Sequence, residues 1–368
     1  MHGNLEVYDL YLEVQGPVFV GSGQMISKKE YIFLPNQKVG IIDMEKLYGF
    51  LRRKRLDGRY EEYLFGNGFE DLKQWLGKYG ITEKEIQPYM KYVIGNDGAD
   101  MQRNRQLQVA SFIKDPYGKP YVPGSSIKGM IRTMLLGAEL SSNPQKYRAQ
   151  IREIQQTVER ERKLRNVKVA RKIESAHFNQ LDRKPNRRED AVNDFMAGLI
   201  VSDSDPLEVS DLNLCPKLDM HTDGKMSKLP LLRECLKPGT KIHCTVTVDC
   251  GIMERAGVRW TQHTLSDAAR TFMDSYNQEF AGKFGRKFLL DEDNVLLGGG
   301  IGYVSKTVIY SMLPGQEGLR TVKTILDKTA RNHNSVKDRG VSPRVLKTTF
   351  CQGRAYQMGV CRIELKKR

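Results

Sequence analysis

The stretch YVPGSSIKGMIRT, residues 121–133, joins an extended segment to a helix. Pro123 and Gly124 interrupt the extended run that precedes them. Ser125 or Ser126 can then cap a helix, because a serine hydroxyl accepts a hydrogen bond from an amide of the first helical turn. We therefore predict a helix that begins here and carries its apolar side chains into the protein core.

Several features of the same stretch favour the binding of an anion. Lys128 and Arg132 are four residues apart and share one helix face, and Lys128 opposes the helix dipole unless an anion binds nearby. Gly129 costs about 1 kcal/mol relative to alanine inside a helix. Free amides, two cations and a glycine together predict a phosphate-binding helix start. The alternative is an ordinary capped helix with solvated charges. The predicted RNA-binding residues here are Ser125, Ser126, Lys128, Gly129 and Arg132.

A second glycine-rich segment, LGGGIGYVSKT, occupies residues 297–307. Glycines in this density are entropically costly, and a loop of this kind can present consecutive amides to an anion. Lys306 adds charge, and the ring of Tyr303 can stack on a base. A dinucleotide-binding motif fits poorly, since GxGxxG started at Gly298 would need glycine in place of Tyr303. The alternative is a tight turn that requires positive φ angles. The predicted RNA-binding residues here are Gly298, Gly299, Gly300, Gly302, Tyr303 and Lys306.

The composition favours a polyanionic partner. The chain has 368 residues and a net charge of +15, from 59 Lys and Arg against 44 Asp and Glu. It has no apolar run near the roughly 20 residues of a membrane span and no signal peptide, so we expect a cytoplasmic protein. Its six cysteines form no CxxC pair and predict reduced thiols. We expect no metal and no other cofactor.

The hydrophobic patterns predict an α+β fold. Residues 5–20 indicate a long first strand, residues 240–249 form the clearest alternating strand, and residues 360–365 a final strand. Helices are predicted from residue 125 and over residues 262–281. Strand, helix, strands, helix, strand is the βαββαβ order of ferredoxin-like and RNA-recognition (RRM-like) folds, here with large helical insertions.

We expect two such modules. The first, residues 1–195, would include a helical insertion and a basic arm, and the second, residues 196–368, would include the glycine-rich loop. The basic arm, residues 146–188, has far fewer acidic than basic residues. It is either a solvated face or a flexible lid that closes over a bound strand.

Several motifs together resemble the RAMP superfamily of CRISPR proteins. They are PGSSIKGMIR at 123–132, LKPGTKI at 236–242, LLGGGIGYVSK at 296–306, SPRVLKTT at 342–349 and GPVFVGSG at 16–23. Within the superfamily the chain is most similar to the fifth Csm subunits of type III-A effector complexes. Motifs such as PGSSIKG are shared across the superfamily, whereas the order of the motifs, the length and the tail indicate this branch.

The resemblance implies a noncatalytic RNA-binding subunit. Such subunits cap the complex near the 3′ end of the crRNA, contact the repeated backbone RAMP subunit and are needed for crRNA maturation and assembly in antiviral defence. The implied partners are crRNA, other Csm subunits and host trimming nucleases, with no membrane. The alternative is a RAMP-type metal-independent endoribonuclease that processes CRISPR repeat RNA, with His177 in the basic arm as general base. The arm itself matches no motif of the family.

Overall fold

A computed structural model of the chain describes residues 4–68, 70–96, 107–162, 164, 166–330 and 334–368. Its strands are β1 (Leu5–Val14), β2 (Gly21–Ile26), β3 (Tyr31–Leu34), β4 (Lys38–Ile42), β5 (Met90–Gly95), β6 (Gln108–Phe112), β7 (Leu199–Val201), β8 (Leu212–His221), β9 (Met226–Leu236), β10 (Lys241–Asp249), β11 (Asn294–Leu296), β12 (Val345–Cys351), β13 (Arg354–Gln357) and β14 (Val360–Lys367). Its α-helices are α1 (Met44–Arg53), α2 (Asp57–Phe65), α3 (Leu72–Lys78), α4 (Glu83–Ile86), α5 (Gly124–Ser142), α6 (Arg148–Arg160), α7 (Asn166–Phe178), α8 (Cys250–Arg255), α9 (Thr264–Glu279), α10 (Ile309–Met312) and α11 (Gly315–Thr329).

The first sheet is antiparallel and has the order β11-β14-β1-β10-β7. Alternation along β1 buries Leu10 and Leu12 and leaves Tyr11 exposed on the opposite face. This is the pattern of a strand with one face on the core. The strands predicted near residues 240–249 and 360–365 are β10 and β14, and they flank β1 on its two sides.

The first strand predicted for residues 5–20 is too long, because β1 ends at Val14 and β2 begins only at Gly21. Pro17 has no amide hydrogen to donate to a strand partner. Val18 forms an isolated antiparallel bridge with Leu236, and a Cβ on Gly16 would collide with the Gln357 carbonyl. The chain crosses here from the first sheet to the second.

The second sheet has the order β2-β6-β9-β8-β5-β4-β3, and the β12–β13 hairpin pairs with β8. The β6–β9 and β5–β8 pairs are parallel, and the other pairs are antiparallel. Both sheets take strands from before and after residue 195. The division into 1–195 and 196–368 stays a prediction.

The apolar residues form two cores. The main one joins both sheets to α5, α6, α9 and α11, and a smaller one packs α1 to α4 against β3 and β4 around Tyr60 and Trp75. This mixture of helices and sheets confirms the predicted α+β class with helical insertions. The six cysteines form no disulfide within the described ranges, and five of them are buried. The part of the chain that the structure describes contains no helix with the length and apolarity of a bilayer span.

A buried carboxylate joins three strands of the second sheet. Glu234 on β9 has 0% exposure and accepts hydrogen bonds from Tyr92 Oη at 2.6 Å, the Phe112 amide at 2.9 Å and Ser111 Oγ at 3.1 Å. Its ion pair with Lys114 Nζ measures 2.5 Å. Burial raises the pKa of Tyr92, and the adjacent Glu234 carboxylate raises it further. A fully bonded carboxylate of this kind fixes the register of β9 against β5 and β6.

The register of β9 also positions its neighbour. Successive side chains of a strand point to opposite faces, so Arg233 lies on the other face from Glu234. A slip of β9 by one residue would exchange the two charges, and it would leave Glu234 without its four donors.

We predict that Glu234→Ala lowers the free energy of unfolding by about 3–5 kcal/mol, because the largely buried Lys114 ammonium loses its ion pair. Chemical denaturation monitored by circular dichroism measures this. The double variant Lys114→Ala, Glu234→Ala should cost less than the sum of the two single variants. Additive costs would contradict the pairing.

Candidate nucleic-acid interface

The predicted helix start is present, but its cap differs from the prediction. α5 begins at Gly124, and its amide donates to Asp203 Oδ1 at 2.8 Å. Neither Ser125 nor Ser126 caps the helix with its side chain, because both residues already lie inside the first turn and Pro123 occupies the capping position. The cap therefore comes from a segment about eighty residues away, which a local pattern does not reveal.

The two cations of α5 contact protein acceptors. Lys128 Nζ donates to the Leu199 carbonyl at 2.7 Å, and burial lowers the pKa of Lys128. Arg132 donates to Asp194 Oδ2 at 2.6 Å, and its guanidinium lies 3.7 Å from the centroid of the Phe178 ring. The acceptors that offset these charges in the folded chain are thus internal, contrary to the expectation that an anion is needed.

The remaining glycine of this motif behaves differently. Gly129 is exposed, and a Cβ built on it would meet no atom within 4 Å. Packing does not require glycine here, so the effect of Gly129 is that no side chain projects from the helix surface at this position. RNA contact by Ser125, Ser126, Lys128, Gly129 and Arg132 stays a prediction.

The glycine-rich loop follows β11 and is held against the segment that links the sheets. Gly298, Gly300 and Gly302 have φ angles of 93°, 73° and 102°. The Gly299 amide donates to the Phe19 carbonyl at 2.6 Å, and a Cβ on Gly298 would collide with the same oxygen. One amide of the predicted anion nest is therefore occupied by the protein. Positive φ and close approach account for Gly298 and Gly300.

A buried guanidinium lies directly beneath this loop. Arg233 is 9% exposed, and its guanidinium carbon lies 5.3 Å from the centroid of the Phe19 ring. A side chain on Gly300 would collide with the guanidinium. Within the described ranges, the Arg233 side chain forms no ion pair and no hydrogen bond.

Two lysines lie near Arg233. Burial lowers the pKa of Lys217, and the charges of Arg233 and Lys347 lower it further. Lys347 forms a 2.7 Å ion pair with Asp219, and its Cγ lies 3.4 Å from a Cβ built on Gly302. We call Phe19, Lys217, Arg233, Lys347 and the loop 298–302 the glycine seat. Three cations and one carboxylate give it a positive balance that suits a phosphate.

The sequence prediction included the loop and missed its supporting residues. Arg233 could have been noticed as a charge inside the apolar run LPLLRECL, and Phe19 and Lys347 lie in the motifs GPVFVGSG and SPRVLKTT. Their convergence depends on pairing between distant strands.

The structure brings the two predicted motifs together at a cavity. The cavity has a volume of about 330 Å³, and Arg132 of α5 borders it together with Gly302, Tyr303 and Lys306. Tyr303 is half-buried, and burial raises its pKa. Lys306 is exposed. Ser125, Ser126, Lys128 and Gly129 do not line this cavity.

The predicted flexible lid is wrong for the described part of residues 146–188. This part consists of ordered elements, chiefly α6 and α7, and it buries Ile151, Ile154, Ile173 and Phe178 in the main core. Many charges of these helices are exposed, and an RNA contact by this arm stays a prediction.

His177 lies in this packed region. Its Nδ1 is 3.0 Å from the Tyr147 hydroxyl, and its ring packs edge-on against Phe178 and Phe195. Burial lowers the pKa of His177 to about 4. A base with this pKa accepts a proton poorly at neutral pH, so the environment does not favour His177 as a general base.

The other histidines and the aspartates of the segment SDSDPLEVSD have separate partners. His243 lies between Asp205 and Asp9, at 2.7 and 2.9 Å, and Asp211 accepts from the Glu208 amide at 3.0 Å. His2 and His333 lie outside the described residues. Within the described ranges, no group of three or more His, Cys, Asp or Glu side chains is arranged to hold a metal ion.

Comparison with known proteins decides the family. Residues 11–336 match the sequence model of the RAMP superfamily. The chain belongs to the RAMP superfamily. Within it, the chain is 31% identical over 386 aligned positions to the CRISPR system Cms protein Csm5 of Mycobacterium tuberculosis, covering 100% of both chains, and therefore belongs to the Csm5 family. It is 25% identical to the protein of that name from Enterococcus italicus, covering 98% of each.

Solved structures share the RAMP fold. The crystal structure of T. onnurineus Csm5 superposes with a TM-score of 0.65 and 18% identity, covering 96% of this chain and 99% of that one. A chain of a cryo-EM structure titled as a Csm–crRNA–target RNA ternary complex of a type III-A system superposes with a TM-score of 0.64 and 18% identity, covering 98% and 100%. The predicted resemblance to RAMP proteins is confirmed.

We predict that Arg132→Ala lowers the free energy of unfolding by about 1–3 kcal/mol, because the Asp194 carboxylate loses a charged donor. Denaturant titration measures the change. Lys306→Ala serves as the matched control, since Lys306 borders the same cavity but is exposed, and it should change stability by less than about 0.5 kcal/mol. Equal losses in the two variants would contradict an internal role for Arg132.

We further predict that His177 stays neutral between about pH 5 and 8, as NMR of its imidazole would show. Its folded pKa lies below its unfolded value, so its neutral form favours folding, and this contribution is lost as the pH falls from about 6.5 towards 4. His243 is the internal control, because hydrogen bonds to Asp205 and Asp9 raise its pKa. A midpoint for His177 near neutral pH would reopen the case for catalysis.

Proposed function

We propose that this chain is a noncatalytic RNA-binding subunit of a type III-A Csm effector complex. It caps the 3′ end of the crRNA, and crRNA maturation and complex assembly depend on it. Its partners are crRNA and other Csm subunits, especially the repeated backbone RAMP subunit, with host trimming nucleases acting on the exposed RNA end. It acts in the cytoplasm, where the RNA is made.

The glycine seat is the observation that carries this proposal. Burial of an unpaired guanidinium is unfavourable, because the charge loses water without gaining an anion. Arg233 is 9% exposed and has no ion pair in the described ranges, burial lowers its pKa, and Lys217 and Lys347 add positive charge nearby. A phosphate diester at the loop would supply the missing negative charge and accept hydrogen bonds from the guanidinium.

RNA fits the seat better than an isolated phosphate does. The Phe19 ring beside Arg233 offers a surface for a base, and the net charge of +15 favours a chain of phosphates. Family membership agrees with this, since one solved protein of this fold comes from a Csm–crRNA–target RNA ternary complex. We place the second RNA contact at the start of α5, which includes Ser125, Lys128 and Gly129. The helix dipole favours a phosphate there, and Gly129 has no side chain that would keep the phosphate away.

The environment of His177 supports the noncatalytic part of the proposal. The ring is packed between aromatic side chains and bonded to Tyr147. Contact with the backbone, without reading of bases, suits a subunit that must accept every guide sequence.

We predict that Arg233→Met reduces RNA affinity about tenfold and reduces the slope of log affinity against log salt by about 0.7, the value for one phosphate contact on a single strand. The melting temperature should stay the same or rise, because methionine fills the site without a buried charge. Fluorescence anisotropy with a labelled repeat-derived RNA and calorimetry of the free protein measure both effects.

Arg362→Met is the matched control. Arg362 lies on the first sheet and forms ion pairs with Glu13 and Asp293. The substitution therefore removes the same charge, but from a surface where carboxylates already balance it. Its RNA affinity should change less than about threefold. A destabilised Arg233→Met variant with unchanged RNA affinity would give Arg233 a structural role and contradict the proposal.

A further inference from the structure

The cavity beside the glycine seat has an apolar interior. α5, α6, α7, α10 and α11 enclose it, and its volume is about 330 Å³. Close-packed protein interiors leave few voids larger than a water molecule, so a cavity of this size is a candidate ligand site. The apolar lining residues are Leu136, Ile154, Ile173, Ile309, Met312 and Ile325.

Polar and aromatic groups also border this cavity. Tyr303 contributes a half-buried ring, and Lys306 contributes an exposed ammonium group without an ion pair in the described part of the chain. Arg132 and Glu174 also border it, 3.6 Å apart at their closest charged atoms. An apolar interior with a ring and one exposed ammonium group at its edge suits a flat ligand that carries negative charge outside the cavity, since Arg132 is paired with Asp194 and Glu174.

The cavity and the glycine seat share Gly302. Gly302 borders the cavity, and a Cβ built on it would lie 3.4 Å from Lys347 Cγ of the seat. Only Ile301 separates Gly302 from Gly300, which lies over Arg233. The seat and the cavity therefore adjoin along residues 300–302.

We propose that the cavity receives one unstacked base of the RNA bound at the glycine seat. The base packs against Tyr303 and the apolar lining, and Lys306 contacts the phosphate next to it. This inference rests on the proposed function. A polyanion is favoured over an apolar side chain of a protein partner, because Lys306 at the edge of the cavity can pair with a phosphate and gains nothing from an apolar group.

The test compares full-length protein binding to an RNA of about eight nucleotides and to versions with one base removed at each position in turn, leaving every phosphate in place. Removal at one position should reduce affinity about tenfold, and removal elsewhere less than about threefold, since stacking on one aromatic ring contributes of that order. Fluorescence anisotropy gives the affinities.

Thr307→Trp fills the cavity from its edge and should make the intact and the sensitive base-deleted RNA bind equally. Thr324→Trp is the matched control, because Thr324 is a half-buried threonine that does not line this cavity. In this variant the intact RNA and the sensitive base-deleted RNA should differ in affinity as they do with wild-type protein. If Thr307→Trp lowers the melting temperature, 2-aminopurine at the sensitive position of RNA bound to wild-type protein replaces it. The cavity should shield this base from quenching by acrylamide.

The outcomes separate the two proposals. RNA binding with no position-dependent loss, or with full quenching of 2-aminopurine by acrylamide, overturns the base-binding cavity and leaves the proposed function standing. A position-dependent loss that persists in a folded Thr307→Trp variant places the base elsewhere and also overturns it. Absence of RNA binding by the full chain at low salt contradicts both proposals.

Discussion

Glu234 and Arg233 are neighbours on β9 and carry opposite charges. The rest of the structure depends on the different environments of these two side chains. Glu234 is fully buried and has four donors, including the Lys114 ammonium. Arg233, on the other face, is nearly as buried and forms no ion pair in the described ranges. The carboxylate stabilises the strand register, and the register holds the guanidinium in place beneath the glycine-rich loop. The charge that fixes the strand register is paired, and the charge beneath the loop, where we propose that RNA binds, has no ion pair in the described ranges.

The glycines of the loop follow from the same arrangement. Gly300 lacks a side chain because the Arg233 guanidinium occupies that space, and Gly298 lacks one because the Phe19 carbonyl does. The Gly299 amide is bound to Phe19, so the loop approaches its support through main-chain contact. The positive charge of the seat therefore comes mainly from the side chains below the loop, and less from the open amides that a glycine-rich sequence predicts.

Local patterns in the sequence predicted the elements whose causes are local. The helix after Pro123 and the alternating strand β10 are where their periodicity places them, because turn chemistry and burial on one face act over a few residues. The cap of α5 by Asp203, the break between β1 and β2 at Pro17, and the burial of α7 in the core depend on contacts between distant segments. Arg233 was missed for the same reason, since β6 and β9 pair across more than one hundred residues.

The measurement that tests the glycine seat most directly is photo-crosslinking of crRNA to this chain in an assembled complex, followed by mass spectrometry of the linked peptides. With 4-thiouridine near the 3′ end of the RNA, the account predicts crosslinks to peptides that contain Phe19 and residues 298–306. Crosslinks confined to the outer face of the first sheet, around Tyr11 and His243, would contradict it.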